Sequence, residues 1–364
     1  MDRFIQLSNS GENVTYNIFF PLLLLYYVHF KFFAQTVIGV ESIIVDIMFY
    51  GLLFLGIDYK RIRYFILIFV LVIPICMIIP AAKNMFAIFV TTCIIAQLPL
   101  KKILFHNIIA QLIIFALSSF CIFIGIIEPK MFEITDIDGR IRWDYGMGNP
   151  NTFALFAYSF LINLYLILDT NKKTYMVLFL ITMLVSLYTG SRTFLISMIV
   201  LLFLSNIKIS KTTHIKVIKN ILRTFPVLII FLIFYLSHNV ESYNELNLLL
   251  SGRLTLYNSL LSSVSYKEYF LGTTLVNELT IDSSFLHLVF EGGVIPFAIF
   301  FYLYFKYVAN ICIENIGKTL PLLSSILLFS LTESVLTFLL IYGNMIIWIL
   351  MYKNILNIRQ RIVL

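Results

Sequence analysis

Apolar residues in this chain arrive in long, almost unbroken runs divided by short polar joins, rather than in the strict alternation of a strand or the narrow stripe of a surface helix. A run of about 17 to 25 such residues is what an α-helix needs to cross the hydrocarbon of a bilayer. Twelve spans are predicted, near 14–33, 36–57, 63–82, 85–100, 103–127, 152–169, 174–190, 193–207, 222–237, 284–309, 319–337 and 339–353. The fourth and eighth are short. The last two divide one stretch, because about 35 residues at about 1.5 Å each overshoot a bilayer. Two longer connections stand out, roughly 128–151 and 238–283. Within the second, Leu254, Leu256, Tyr257, Leu260, Leu261 and Val264 recur at helical spacing, which predicts an amphipathic helix lying on the membrane surface.

Composition removes the competing classes. Hydrophobic residues make up 60% of the 364 and charged residues 12%, against about 45–50% and about 25% in an ordinary soluble protein, and the mean hydropathy is +0.95. Neither a water-soluble enzyme nor a disordered chain has this make-up. The formal charge of +7 does not signal nucleic acid, because the basic residues sit in short clusters between apolar runs, as they do where membrane proteins fix their orientation. With the N-terminus inside, 18 of the 26 basic residues fall on the cytoplasmic side and eight outside. Both termini are then cytoplasmic and both long loops external. Asp2, Arg3 and Glu12 replace the basic start of a signal peptide, so the first helix is expected to be uncleaved. Cys76, Cys93, Cys121 and Cys312 lie in or beside apolar runs without metal-ligand or disulfide-framework spacing. No internal repeat supports the two-fold design of many transporters.

Soluble-enzyme motifs are missing, so candidate chemistry rests on charged residues that are costly near lipid. Asp136 and Asp138 form a DxD in TDIDGR, a pattern more often a solvated turn than a metal site. Neither a cofactor nor a metal ion is expected. Arg192 follows the tight turn Thr189-Gly190-Ser191 at a helix start, where the backbone dipole favours an anion. Arg253 opens the amphipathic stretch, and Arg140 and Arg142 alternate beside Trp143. Four external arginines suit a phosphate or pyrophosphate, because a guanidinium binds such groups in bidentate fashion. Asp282 stands where the long loop meets the tenth span, as a helix cap or as a carboxylate facing an external cavity. Glu41, Asp46, Glu291 and Glu333 are read as intramembrane carboxylates facing the bundle interior, with His287 a further candidate.

Four stretches together resemble the O-antigen polymerase and ligase superfamily of bacterial surface-polysaccharide assembly. GMGNPNTFA at 146–154 is similar to its glycine-asparagine element. YTGSRTFLISMIVLLFL at 188–204 is similar to its serine-arginine span start, SGRLTLYNSLLSSVSYKEYFLGTTL at 251–275 to its arginine-led segment, and IDSSFLHLVFEGGVIPFAIFF at 281–301 to its HN-x9-G segment. Asp282-Ser283 stands where ligase-type members carry His-Asn, and Pro296 replaces that segment's second glycine, which favours a polymerase over a ligase. The resemblance implies an all-α, GT-C-like polytopic fold with N-terminal transmembrane helices at 1–139, a polymerase/ligase-like region at 140–345 and the end of the last helix with a cytoplasmic tail at 346–364. It implies transfer of a growing glycan from undecaprenyl pyrophosphate to the non-reducing end of a lipid-linked repeat unit at the external face of the bacterial plasma membrane. Asp282, Arg192 and Arg253 are then the catalytic candidates. Arg140, Arg142, Asn149, Asn151, Ser191, His287 and Glu291 are the substrate-binding ones. A chain-length regulator and a flippase are implied as partners. A ligase and a polysaccharide flippase or transporter are the alternatives. Loss of a polymerase leaves single repeat units on the surface, whereas loss of a flippase abolishes external glycan.

Overall fold

In the computed structural model, residues 19–39, 43–56, 82–134, 140–168, 171–207, 212–279, 281–311, 316–337 and 346–355 are described. Helix accounts for 80% and strand for 2%. The third predicted span, the N-terminal thirteen residues, the Asp136–Asp138 pair, Glu41, Cys76 and Cys312 lie outside the described residues.

Among the described residues, three helices are long and apolar enough to cross a membrane, at Leu100–Phe123, Pro150–Ile167 and Ile215–His238. In chain order the principal helices are α1 (Phe19–Phe32), α2 (Ile43–Gly56), α3 (Ala82–Ile95), α4 (Leu100–Phe123), α5 (Pro150–Ile167), α6 (Lys172–Thr189), α7 (Arg192–Ser205) and α8 (Thr212–His238). Short helices α9 (Asn244–Leu249), α10 (Arg253–Ser263), α11 (Tyr266–Leu271) and α12 (Leu275–Glu278) follow, then α13 (Val294–Asn310), α14 (Ile316–Ser330) and α15 (Ile346–Ile355). Between α4 and α5 an antiparallel hairpin pairs β1 (Met131–Ile134) with β2 (Arg140–Trp143), with Phe132 opposite Arg142 and Ile134 opposite Arg140.

Local chemistry sets the boundaries. Asn149 caps α5 through its side-chain oxygen, which accepts from the Asn151 N–H at 2.8 Å, and Pro150 at the first helical position has no N–H to leave unpaired. Gly190 ends α6 in the left-handed conformation at φ 60°, and Ser191 caps α7 one residue later. The amphipathic stretch is a helix as predicted, but it does not lie on a membrane. Leu254, Tyr257 and Leu260 are buried within the protein, where α10 packs against α8. The tenth predicted span also differs. A single helical turn at Ser284–Leu286 runs into a π-turn at His287–Glu291. The chain then breaks at Gly292-Gly293, so the long helix begins only at Val294.

Two buried apolar clusters form the interior. The larger joins α4 to α8 with α10, α13, α14 and α15. The smaller joins α1, α2, α3 and part of α4 with Ile349 and Tyr352 of α15. Several buried polar groups find partners across helices. Gln111 donates to Ser159 at 2.5 Å and accepts from Asn163 at 3.2 Å, tying α4 to α5. Lys31, near the end of α1, pairs with Asp46 of α2 at 2.6 Å. Lys353 of α15 donates to the Ala96 and Leu98 carbonyls at 2.7 and 2.6 Å, just past the end of α3.

Gly272 and Gly252 separate two costs of a side chain. Both have positive φ, 90° and 77°, but a Cβ on Gly272 would lie 2.4 Å from the Glu291 carbonyl oxygen while one on Gly252 would meet nothing within 4 Å. Gly252→Ala is expected to destabilise by about 1–2 kcal/mol from backbone strain alone. Gly272→Ala adds overpacking, for a total of about 3 kcal/mol. Thermal unfolding of both variants in detergent checks the order, and equal losses would refute it.

Candidate functional site

Five segments that are distant in sequence meet at one end of the bundle. Arg142 on β2 donates from Nε to the Thr189 carbonyl at 2.7 Å and from Nη2 to the Asn151 side-chain oxygen, so the hairpin is braced against the end of α6 and the start of α5. The brace is tight enough to require glycine beside it, since a Cβ on Gly190 would sit 2.9 Å from Arg142 Cγ. Ser191 then turns the chain into α7 by accepting from the Phe194 N–H at 3.4 Å. Arg192 is exposed at that helix start. The next residue, Thr193, accepts from the Thr332 hydroxyl at 2.9 Å, which brings the turn after α14 against the α7 N-terminus.

That turn carries Glu333. Its backbone carbonyl accepts from the Ser284 hydroxyl at 2.6 Å, and its side chain reaches Arg253. The guanidinium Nη2 of Arg253 lies 3.3 Å from Glu333 Oε1 and 3.3 Å from Asp282 Oδ2. One arginine thus joins the head of α10 to the segments on either side of α13 and α14. Asn247 makes its position possible, because the Asn247 side-chain oxygen accepts from the Leu254 and Thr255 N–H groups at 3.0 and 3.3 Å. It caps α10 from a turn away, and Gly252, left-handed, is free to start the helix.

The two carboxylates are unlike. The Glu333 side chain is 4% exposed and that of Asp282 43%. Burial alone would lower Arg253, but Glu333, Tyr257 and Asp282 more than offset it and hold the guanidinium charged. Only the Nη2 corner of Arg253 is engaged; among the described residues its Nε and Nη1 donors meet no acceptor, and Asp282 Oδ1 meets no donor. A cation with open donors and a half-exposed carboxylate with an open oxygen therefore share one edge of the site. Such an arrangement can hold an anion and accept a proton a few ångströms away.

Sequence reading and geometry agree in part. Arg142 bonds Asn151 and the Thr189 carbonyl beside Ser191, and Arg253 pairs with Asp282, with Arg192 at the adjoining helix start and Asn149 serving as the α5 cap; Arg140 is the first residue of β2. Asp282 does not act as a cap. Ser283 occupies the position before the helical turn, without a capping bond, and the Asp282 side chain turns to Arg253 instead.

His287 and Glu291 do not reach the site edge. Both are buried, His287 Nδ1 lies 2.7 Å from Glu291 Oε2, and Nε2 lies 2.6 Å from the Ile281 carbonyl. A carbonyl only accepts, so Nε2 carries a hydrogen, and a proton lies between Nδ1 and Oε2 whichever group holds it. Neither imidazole nitrogen is then open to a substrate, and the pair fixes the backbone just before Asp282. Glu333, read as a carboxylate facing the bundle interior, is buried, and its partner Arg253 is 80 residues away.

No protein-family model, no curated protein and no solved structure matches the chain.

Proposed function

We propose that the chain is a polytopic membrane glycosyltransferase that polymerises lipid-linked oligosaccharide repeat units, with about twelve transmembrane helices, both termini in the cytoplasm and the segments at 128–151 and 238–283 outside. The observation that carries the reading is the shared edge of Arg253 and Asp282, set against Arg142 and the α7 start at Arg192, in a chain whose apolar helices fit a membrane. A lipid pyrophosphate needs apolar surface for its tail, guanidinium groups for its phosphates and a polar face for its sugars. The stretches that resemble polymerases and ligases supply Arg192, Arg253 and Asp282, whereas Arg142 and Glu333 lie outside them.

In this reading an acceptor hydroxyl attacks the anomeric carbon of the donor glycan. The carbon–oxygen bond to the pyrophosphate breaks, its electron pair leaves with the undecaprenyl pyrophosphate, and the hydroxyl proton passes to Asp282. Arg253 and Arg192 meet the charge that grows on the pyrophosphate as it leaves, which lowers the barrier because the donors are already in place. Burial keeps Glu333 from competing with the phosphate for Arg253. Arg142, engaged with the Thr189 carbonyl and Asn151, holds the wall of the site and adds positive potential.

Reconstitution of the purified protein with a synthetic lipid-linked repeat unit is expected to yield a ladder of products. Arg253→Lys and Arg192→Lys keep charge but lose the fork, and should reduce turnover by about 100-fold, on the scale of losing one oriented donor to developing charge. Asp282→Asn should lower kcat by a similar factor, on the scale of general base catalysis, without loss of protein from the membrane. Wild-type ladders from all three variants would overturn the reading. For orientation, cysteines introduced at Asp136 and Ser262 should react with an impermeant maleimide in intact cells; protection at both would invert the topology.

A further inference from the structure

The helix predicted to lie on the membrane is turned inward, yet the segment that follows it carries an apolar surface with nothing against it. On α11, Tyr266 is 90% exposed and Phe270 65%, one helical turn apart, with Leu271 also exposed. The helix is firmly made despite its six residues. Ser265 and Glu268 form a capping box, the Glu268 carboxylate accepting from the Ser265 N–H and hydroxyl at 2.8 and 2.7 Å, so the exposed rings belong to an ordered element and not to a fraying loop.

The position of α11 is fixed by backbone contact with the head of α13. Thr273 N–H donates to the Phe290 carbonyl at 2.7 Å. Gly272 and Gly293 let the two chains touch, since a Cβ on either would come within 2.4 Å of the other's carbonyl oxygens. Immediately beyond Gly293, Val294 and Ile295 are exposed on the first turn of α13. The apolar surface of Phe270 and Leu271 is therefore continuous with that of an apolar helix at its end. Lys267 stands exposed beside it, where a basic side chain meets lipid phosphates.

We infer that α11 is an interfacial helix that lies in the headgroup and upper acyl region of the bilayer, with Tyr266, Phe270 and Leu271 in lipid. Its occupant is the lipid surface and not a second protein, because the face prolongs the lipid-facing side of α13 and Tyr is a side chain suited to that boundary. Through the contact of Gly272 with Glu291 and of Thr273 with Phe290, the depth of α11 also sets the height of the Asp282 segment above the hydrocarbon. The site is thereby held at the level where a lipid's phosphates lie. The inference rests on the membrane reading and not on glycan transfer.

Nitroxide labels at Tyr266→Cys and Phe270→Cys, in a chain whose four native cysteines are replaced by alanine and which is reconstituted in phosphatidylcholine and phosphatidylglycerol vesicles, test it by collision with oxygen against a water-soluble nickel chelate. Both sites should show an oxygen-to-nickel ratio several-fold above that of Ser262→Cys on the polar face of α10, and approach that of Leu184→Cys on the exposed face of α6. A ratio at 266 and 270 equal to that at 262 would place α11 in water and overturn the inference. Shielding from both reagents would assign the face to a protein contact and overturn it equally. A high nickel ratio at 184 would instead sink the membrane reading on which it stands.

Discussion

Arg253 holds its charge among groups that have lost water, and the surrounding architecture follows from that demand. A guanidinium set between a buried and a half-exposed carboxyl must be compensated, because an isolated charge in such a place is expelled or neutralised. The compensation draws on both ends of the second half of the chain: Asp282 ahead of α13 and Glu333 behind α14. Satisfying one side chain therefore ties together three segments that no run of local hydrogen bonds would join. The unequal burial of the two acids then divides the work. The buried acid anchors the cluster, and the half-exposed one remains open to solvent.

Around that cluster the fold relies on backbone where side chains would be too large or too mobile. Arg142 is oriented by a carbonyl at the end of α6, α10 is capped by Asn247 from outside the helix, and the Asp282 segment is held from behind by His287 through the Ile281 carbonyl. The glycines at 190, 272 and 293 occur where two chains approach within contact distance of a backbone or an arginine stem. Each is placed by proximity as well as by its left-handed φ.

What the sequence made legible divides along physical lines. The helical pattern follows from the long apolar runs, whereas Asn149 and Ser191, read as substrate-binding residues, are helix caps. The failures concern orientation and long-range pairing. The stripe Leu254–Tyr257–Leu260 has the period of an amphipathic helix, but period does not say whether the apolar face meets lipid or protein, and α8 claimed it. His287 and Glu291 are one turn apart and bind each other, which removes both from the edge where their chemistry had placed them. Glu333 pairs across 80 residues, a separation that no local pattern encodes.

The bond from Lys353 to the Ala96 and Leu98 carbonyls spans more than 250 residues of chain. Together with Ile349 and Tyr352 in the cluster of α1, α2 and α3, it means that the earliest helices to leave the ribosome receive their packing partner among the last. Until α15 arrives, the carbonyls beyond α3 and the apolar flank of α1 stay uncovered through most of translation. Such a nascent chain depends on insertion chaperones or on lipid to occupy that flank in the interim. A ribosome stalled before α15 would release not a shorter working protein but a chain with an uncovered apolar flank, a target for quality control.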